Sequence, residues 1–439
     1  MNLSATEQRL YEALSELEVV DAHEHLPPEA VRVASRVDVF TLFSHYTRTD
    51  FISAGLAPQD YERMIDPEEP LAERWQLFAP YWERIRFGSY ARPALIAVRE
   101  FYGQEDITED NYEEISARMQ AANKPGIYHR ILREKCRIRV ALTQCGRTDV
   151  DRDLLVPLMP IDYYANVRSA EEIQQRASDL GERVSSLEDY LTVIEKGVAK
   201  WKSEGAVGLK MASREYGPAD RGEAGAIFRR LLERGTDHLP ESNPLRAFLL
   251  HQILDLAARE ELVVAVHAGM WGDFRTLAPG HFIPIAMQHP QTRFDLYHMG
   301  MPYVREAGVI GKNFPNVWLN LCWSHIISPK MTCAALDEWM DLVPLNKIIA
   351  FGGDYSKPVE KVYGHLLMAR EDIAKVLAGR VEEGLLSEEQ AVKIGRQWFY
   401  ENPQELYRLE LPAVPSPNSN PRYRKRLPGG LPKGGKVRG

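Results

Sequence analysis

The stretch Val19–His25, which reads V-V-D-A-H-E-H, ends a short apolar segment with two histidines. Eight short apolar segments punctuate the chain, and five of them carry a histidine, lysine or aspartate at or near the C-terminal end. Parallel strands that close into a barrel open at one face, where their C-terminal ends converge. We therefore expect residues about 330 positions apart in sequence to meet in one pocket.

The residues at these strand ends are of types that bind metal ions. His23 and His25 are two positions apart on a strand, so both side chains point to the same side. Four further polar residues follow at later strand ends, in the order Lys210, His267, His298 and Asp354. Several imidazoles and one carboxylate predict a divalent-metal site. Zinc suits a site with nitrogen and oxygen ligands, and manganese or iron are alternatives because selectivity also depends on geometry.

The order of apolar and helical segments predicts an α/β fold, a (β/α)8 TIM barrel. Apolar strands that alternate with helical segments are typical of a parallel sheet with helices outside it. The eight predicted strands cover residues 17–25, 137–145, 154–164, 206–213, 262–269, 293–300, 316–323 and 347–354. Residues 26–129, which are rich in Trp, Tyr, Arg and Glu, are predicted to form a helical insertion that caps the barrel mouth.

The end of the chain differs in composition from the rest. Residues 412–439 contain seven Lys or Arg and no Asp or Glu, so the preceding part carries −15 of a total net charge of −8. We expect a barrel over residues 1–411 and a basic, proline-rich tail over 412–439 that forms no domain. The acidic body argues against nucleic-acid binding as the main function.

Composition also narrows the setting of the protein. No apolar run reaches the roughly 18 residues that cross a bilayer, so no membrane span is expected. The first ten residues lack the pattern of an export signal. Four cysteines in 439 residues do not make a disulfide framework. We therefore expect a cytoplasmic protein with reduced thiols, which acts on a small molecule and assembles as a homo-oligomer.

The ordered set of polar strand ends resembles the amidohydrolase superfamily of metal-dependent barrel enzymes. Its pattern is His-x-His after the first strand, Lys or Glu on the fourth, His on the fifth and sixth, and Asp after the eighth. The segment Asn402–Tyr407 is similar to the last helix of the branch that contains decarboxylases and hydrolases. The long insertion is shared with a branch fused to glutamine-synthetase-like proteins and with uronate isomerases.

The resemblance implies roles for the strand-end residues. His23, His25 and His267 would bind the metal, and Asp354 would lie close to it and move a proton between a metal-activated water and the leaving group. In members with two metals, a carboxylated lysine on the fourth strand bridges the ions. In members with one metal, that lysine is unmodified and faces the substrate. The sequence around Lys210 favours the second arrangement, in which His298 is catalytic.

Polar and aromatic residues of the predicted βα loops are candidates for substrate contacts. Arg214 and Arg275 are suited to bidentate contacts with a carboxylate. Trp271 and Trp323 are suited to form apolar walls or to stack on a sugar ring. These four and His325 complete the predicted substrate-binding set with Lys210. Packing within the loops explains each of them nearly as well, and His45 and Arg48 of the insertion are equally explained as solvated residues.

Taken together, these features predict a metal-dependent hydrolase that acts on a small polar substrate carrying a carboxylate, through a metal-activated water. The alternative is a non-hydrolytic enzyme on the same scaffold, either a decarboxylase or an isomerase of uronate-type sugars, because fold and ligands do not fix the reaction. A non-catalytic binding protein is a rival that the intact set of ligand-type residues disfavours.

Overall fold

The computed structural model describes residues 3–234 and 238–412, and the predicted tail from residue 413 onward lies outside the described residues. Eight parallel strands form one sheet in the order of the sequence. They are β1 (Val19–Glu24), β2 (Ile138–Thr143), β3 (Leu155–Pro160), β4 (Gly208–Ala212), β5 (Val263–His267), β6 (Arg293–Leu296), β7 (Val317–Asn320) and β8 (Ile348–Ile349). Each predicted strand is present and is shorter than expected, because the polar strand ends continue as loops.

The sheet closes into a barrel between its first and last strands. The Ala22 amide donates to the Phe351 carbonyl at 3.0 Å, and the Asp354 amide donates to the His23 carbonyl at 2.8 Å. These bonds join β1 to the chain just after β8 and bring His23 beside Asp354. The predicted (β/α)8 barrel is therefore confirmed.

Helices surround the barrel and fill the insertion. The helices before β2 are α1 (Ala5–Ser15), α2 (Glu29–Ala34), α3 (Arg48–Ser53), α4 (Pro58–Ile65), α5 (Leu71–Ile85), α6 (Arg92–Tyr102) and α7 (Tyr112–Ala122). Those from β3 to β5 are α8 (Asp162–Ala165), α9 (Ala170–Ser178), α10 (Leu187–Ser203), α11 (Arg221–Arg234) and α12 (Pro244–Arg259). The later ones are α13 (Ile283–Gln288), α14 (Val304–Asn313), α15 (Ser324–Ile327), α16 (Pro329–Leu342), α17 (Glu360–Glu382), α18 (Glu388–Arg396) and α19 (Asn402–Tyr407). Two π-helical segments cover His129–Lys135 and Gln397–Glu401.

Two local features follow directly from sequence. Helix α1 begins at a capping box, because the Ser4 hydroxyl accepts from the Glu7 amide and the Glu7 carboxylate accepts from the Ser4 amide. Helix α10 is separate from α9, since it has a capping serine of its own, Ser186.

The insertion has its own apolar core and is tied to α17. Aromatic side chains such as Phe40, Phe43 and Trp82 are fully buried in it. Arg32 forms a buried ion pair with Glu360 at 3.0 Å, and the Tyr102 hydroxyl donates to the same carboxylate at 3.0 Å. These contacts fix the insertion against the helix that follows β8.

One of the usual βα units lacks its helix. Residues 144–154, which join β2 to β3, contain turns and bends only.

The four cysteines, Cys136, Cys145, Cys322 and Cys333, are free thiols. No helix among the described residues is long and apolar enough to span a membrane.

Candidate metal centre and active site

Three of the predicted ligand residues meet at the centre of the barrel mouth. The Nε2 atoms of His23 and His25 are 3.2 Å apart, and they lie 3.3 Å and 3.2 Å from Oδ1 of Asp354. A tetrahedral metal with ligand distances of about 2.0–2.1 Å places its ligand atoms about 3.3 Å apart. The three atoms therefore have the spacing of one face of such a coordination sphere.

Hydrogen bonding leaves the ligand atoms of His25 and Asp354 free to bind an ion. The Nδ1 atom of His25 lies 2.7 Å from the Gln144 carbonyl, which can only accept, so His25 donates there and its Nε2 carries a lone pair. Both carboxylate oxygens of Asp354 are buried and lack a hydrogen-bond partner among the described residues. Buried polar atoms without a partner are costly, so the residues present fit a bound cation.

A second pair of histidines stands beside this cluster. The Nδ1 atom of His298 lies 3.0 Å from the Cys322 carbonyl, and its Nε2 lies 3.0 Å from Nδ1 of His267. Burial lowers the pKa of His298 to about 4, so its ring is neutral. His298 then donates through Nδ1 and accepts from His267, which leaves Nε2 of His267 as a bare, buried lone pair.

The structure divides the predicted metal ligands into two groups. His23, His25 and Asp354 have ligand atoms within 4.8 Å of one another, and His267 is outside that group. The role of His267 as a ligand stays a prediction, which its free Nε2 favours. A further group, which sequence reasoning missed, joins Cys322 to His298 and Asp354. Cys322 follows β7, so its place beside a strand end was a signal that could have found it.

Lys210 faces the centre of the mouth, as predicted. Its Nζ lies 3.4 Å from Nε2 of His23 and 4.0 Å from the centre of the Tyr297 ring. Burial lowers its pKa to about 8. No carboxylate among the described residues lies within 4.0 Å of this ammonium group, so Lys210 is available to an anionic group of a ligand.

Two buried carboxylates behind the cluster hold the loop that carries Asp354. Oδ1 of Asp21 accepts from the amides of His23 and Gly353, and Oε2 of Glu24 accepts from the Tyr355 amide at 2.6 Å. Any β-carbon at Gly353 would overlap the Glu24 carboxylate. Burial raises the pKa values of Asp21 and Glu24. These carboxylates therefore position Asp354, a role that sequence reasoning missed.

An aromatic lid lies at the mouth beside these residues. Tyr46 of the insertion stacks on Trp271 with ring centres 3.9 Å apart, and it meets the edge of Trp323 at 5.1 Å. The Trp323 indole N–H donates to the Tyr90 hydroxyl at 3.2 Å. His45 lies next to His25, with ring centres 6.1 Å apart. Trp271 and Trp323 are therefore at the site as predicted, and the insertion adds His45 and two residues not predicted from sequence, Tyr46 and Tyr90. Tyr355, which follows β8 and was also not predicted, packs on Trp323 with ring centres 4.9 Å apart.

Backbone strain is concentrated at this mouth. Five of its non-glycine residues have positive φ angles, namely His45, Trp271, His298, Trp323 and Asp354. Side chains at such angles cost energy, and they persist where surrounding structure holds them, often at functional sites. This strain coincides with the cluster of ligand-type residues.

Three predicted substrate-binding residues are held by protein partners in this structure, so their role in substrate binding stays a prediction. Arg214 pairs with Glu241 at 2.8 Å and is half-exposed, and Arg275 pairs with Asp273 at 2.7 Å and is 78% exposed. Both arginines are neutralised by carboxylates of nearby loops. His325 is fully buried under the barrel wall, where it contacts Asp372 at 3.0 Å and the Ala350 carbonyl at 3.1 Å.

Comparison with known proteins places this geometry in a family. The model of the family described as Amidohydrolase matches residues 155–409, more than half of the chain. The fluG protein of Emericella nidulans is 26% identical over 193 residues, which are 42% of this chain and 22% of that protein. The chain thus spans about a fifth of the length of that relative.

Two similarities run almost end to end. A uronate isomerase of Thermotoga sp. is 21% identical over 450 residues, which cover 91% of this chain and 96% of the relative. The crystal structure of uronate isomerase from Thermotoga maritima has a TM-score of 0.76 with 17% identity, over 92% of this chain and 98% of that one. The family match and the arrangement of residues at the barrel mouth agree: the chain belongs to the amidohydrolase family.

Proposed function

We propose that this protein is a divalent-metal-dependent isomerase of a small sugar acid of the uronate type. In such a reaction a proton moves between neighbouring carbon atoms of the substrate. The observation that carries the proposal is the lid, in which the insertion places Tyr46 and His45 directly over His25 and Asp354. The end-to-end similarity to uronate isomerases, insertion included, supports the same reaction.

The aromatic lid favours a reaction that does not consume water. Stacking of Tyr46 on Trp271 places apolar ring faces at the mouth. Exclusion of water strengthens electrostatic contacts inside a site and keeps a transferred proton from leaking to solvent. Isomerisation profits from both effects, whereas hydrolysis must admit a water molecule.

The metal would be held by His23, His25 and Asp354, with His267 as a further ligand. When bound, a divalent cation such as zinc polarises substrate oxygen atoms and makes a neighbouring carbon more acidic. The donor set of imidazole nitrogens and carboxylate oxygens suits zinc, manganese or iron.

The chain's own residues would supply binding and proton transfer. Lys210 would bind the substrate carboxylate through its ammonium group. Oδ2 of Asp354 has no partner among the described residues and would accept a proton. Burial and the Asp354 charge raise the pKa of Tyr46, so its hydroxyl stays protonated and can donate a hydrogen bond to a substrate oxygen.

Incubation with D-glucuronate and D-galacturonate in heavy water tests the proposal. We expect NMR to show a keto sugar acid carrying one solvent deuteron on carbon, and no product with Asp354→Asn. Protein loaded with zinc, and separately with manganese, should be used. Failure to convert either uronate, together with turnover of an amide or an aromatic acid, would contradict the isomerase assignment.

Hydrolysis is the second candidate, and one observation favours it. The free carboxylate oxygen of Asp354, next to two imidazole nitrogens, is also suited to accept a proton from water. Sequence reasoning placed hydrolysis first, and the full-length similarities now favour the isomerase. Release of amine from a panel of amino-acid amides would restore the hydrolase, and release of carbon dioxide from aromatic acids would indicate the decarboxylase.

A further inference from the structure

A cleft lies where the barrel lacks a helix. The connection between β2 and β3, residues 144–154, is a loop without a helix. A cavity of about 580 Å³ is present there, between the start of β3, residue Arg139 of β2 and the segment 126–133. Cavities that bind small molecules have volumes of about 300–1,000 Å³. The cleft is therefore large enough for a metabolite.

Three hydrogen-bond donors on the wall of this cleft lack an acceptor. The Tyr128 hydroxyl, Nη1 of Arg133 and Nε of Arg139 are buried atoms without a partner among the described residues. Tyr128 is only 2% exposed. Buried donors are nearly always satisfied in folded proteins, so three orphaned donors in one cavity indicate a missing acceptor.

Neither arginine of the cleft is paired with a carboxylate among the described residues. Nη2 of Arg133 donates to the Asp153 carbonyl at 2.6 Å, which fixes the guanidinium at the edge of the cleft. Within residues 3–234 and 238–412, neither Arg133 nor Arg139 has a carboxylate oxygen within 4.0 Å. Burial, and then the charge of Arg139, lower the pKa of Arg133, and the charges of Glu18, Asp153 and Asp151 oppose this only in part. An anion between them would relieve this repulsion.

The three acidic residues that line the cleft, Glu29, Asp151 and Asp153, form no ion pair within 4.0 Å with either arginine. Both oxygens of Glu29 accept backbone amides, those of Gly126 and Tyr128. Asp151 accepts the Asp153 amide at 3.1 Å, so it shapes the turn before β3. These carboxylates line the cleft, where they can accept hydrogen bonds from hydroxyl groups of a ligand.

We propose that this cleft is a second ligand site, which binds the oxyanion group of a small polar acid between Arg133, Arg139 and the Tyr128 hydroxyl. The oxyanion is a carboxylate or a phosphate, because both have the paired acceptors that guanidinium groups bind. The site is independent of the metal centre and of the reaction proposed above.

Titration calorimetry with inorganic phosphate and, separately, with tartrate tests the site. We expect at least one anion to bind the metal-loaded protein, and the preferred anion distinguishes phosphate from carboxylate ligands. Arg133→Met and Arg139→Met should each weaken binding at least about tenfold, the loss expected when one partner of a charged hydrogen bond is removed. Arg137→Met is the matched control, because Arg137 is exposed, pairs with Glu16 and does not line the cleft.

Tyr128→Phe is a milder variant that is expected to fold normally, since it removes one hydroxyl and keeps the ring. It should weaken binding a few-fold while circular dichroism and thermal unfolding match the wild type. Absence of binding of both anions to the wild type would overturn the proposal. Binding that Arg133→Met and Arg139→Met leave unchanged would also overturn it, because the anion would then be at the metal centre. A crystal structure with the cleft filled by another copy of the chain would do the same.

Discussion

The centre and the rim of the barrel mouth both carry polar residues, but these residues have different partners. At the centre, ligand atoms of His23, His25 and Asp354 lie within about 3.3 Å of one another, and neither oxygen of Asp354 has a hydrogen-bond partner among the described residues. At the rim, Arg214 and Arg275 are exposed and paired with loop carboxylates. This difference indicates that the barrel determines the position of a side chain at a strand end, whereas neighbouring residues determine the position of a side chain in a loop.

The largest expected effect is at the centre. Asp354→Asn keeps the shape of the side chain and removes its basicity, so turnover should fall by roughly 10²–10⁴-fold while most of the metal stays bound. Steady-state kinetics with metal analysis of the same preparation measures both quantities. Near-native turnover in this variant would show that Asp354 does not move the proton.

Removal of His298, the hydrogen-bond partner of His267, should have the next largest effect. His298→Ala leaves Nδ1 of His267 without its acceptor, so the ring is no longer oriented. Metal affinity should fall about 10–100-fold, the usual cost of losing an outer hydrogen-bond partner of a ligand. Competition with a chelator measures the affinity, and His281→Ala at the exposed rim is the control. Equal affinities in the two variants would remove His267 from the ligand set.

Burial of a cation near the mouth predicts a pH effect on stability. Burial lowers the pKa of Lys361 from 10.5 to about 7, and the Asp50 charge opposes this. Between those pH values the unfolded chain holds one proton more than the folded chain, so this group's contribution to stability rises with pH. The advantage of Lys361→Met over wild type should shrink by up to about 1.4 kcal/mol per pH unit in that window.

Urea unfolding at pH 7.5, 8.5 and 9.5 measures this trend. Lys375→Met is the control on the same helix, because Lys375 is partly exposed and pairs with Glu371, which raises its pKa. A constant difference between Lys361→Met and wild type across these pH values would mean that Lys361 is charged in the fold.

The smallest effect is expected at the rim. Arg214→Ala and Arg275→Ala remove side chains whose charges are already paired in solvent, and such surface pairs are worth about 0–1 kcal/mol. Both kcat and KM for the substrate should change less than about twofold. A tenfold increase in KM in either variant would show that this arginine contacts the substrate, which would contradict the distinction between centre and rim.

The sequence predicted the residues whose positions depend on the barrel strands. It did not predict those whose positions depend on tertiary packing. The eight strands, and the convergence of His23, His25 and Asp354, follow from periodicity and from residue types at strand ends. Tyr46 was missed because a helical insertion carries no repeat that tells which side chain reaches the mouth. The buried contact of His325 with Asp372 could not be predicted either, because the two residues are 47 positions apart in sequence.

Metal content of the purified protein tests the central claim most directly. Elemental analysis of protein prepared without a metal-binding tag or chelator should give about one divalent ion per chain, and His23→Ala should lose it because few ligands hold the ion. Arg275→Ala, which leaves the centre intact, should keep the wild-type content. Wild-type protein that contains less than about a tenth of an ion per chain, and regains none on addition of zinc or manganese, would contradict the account.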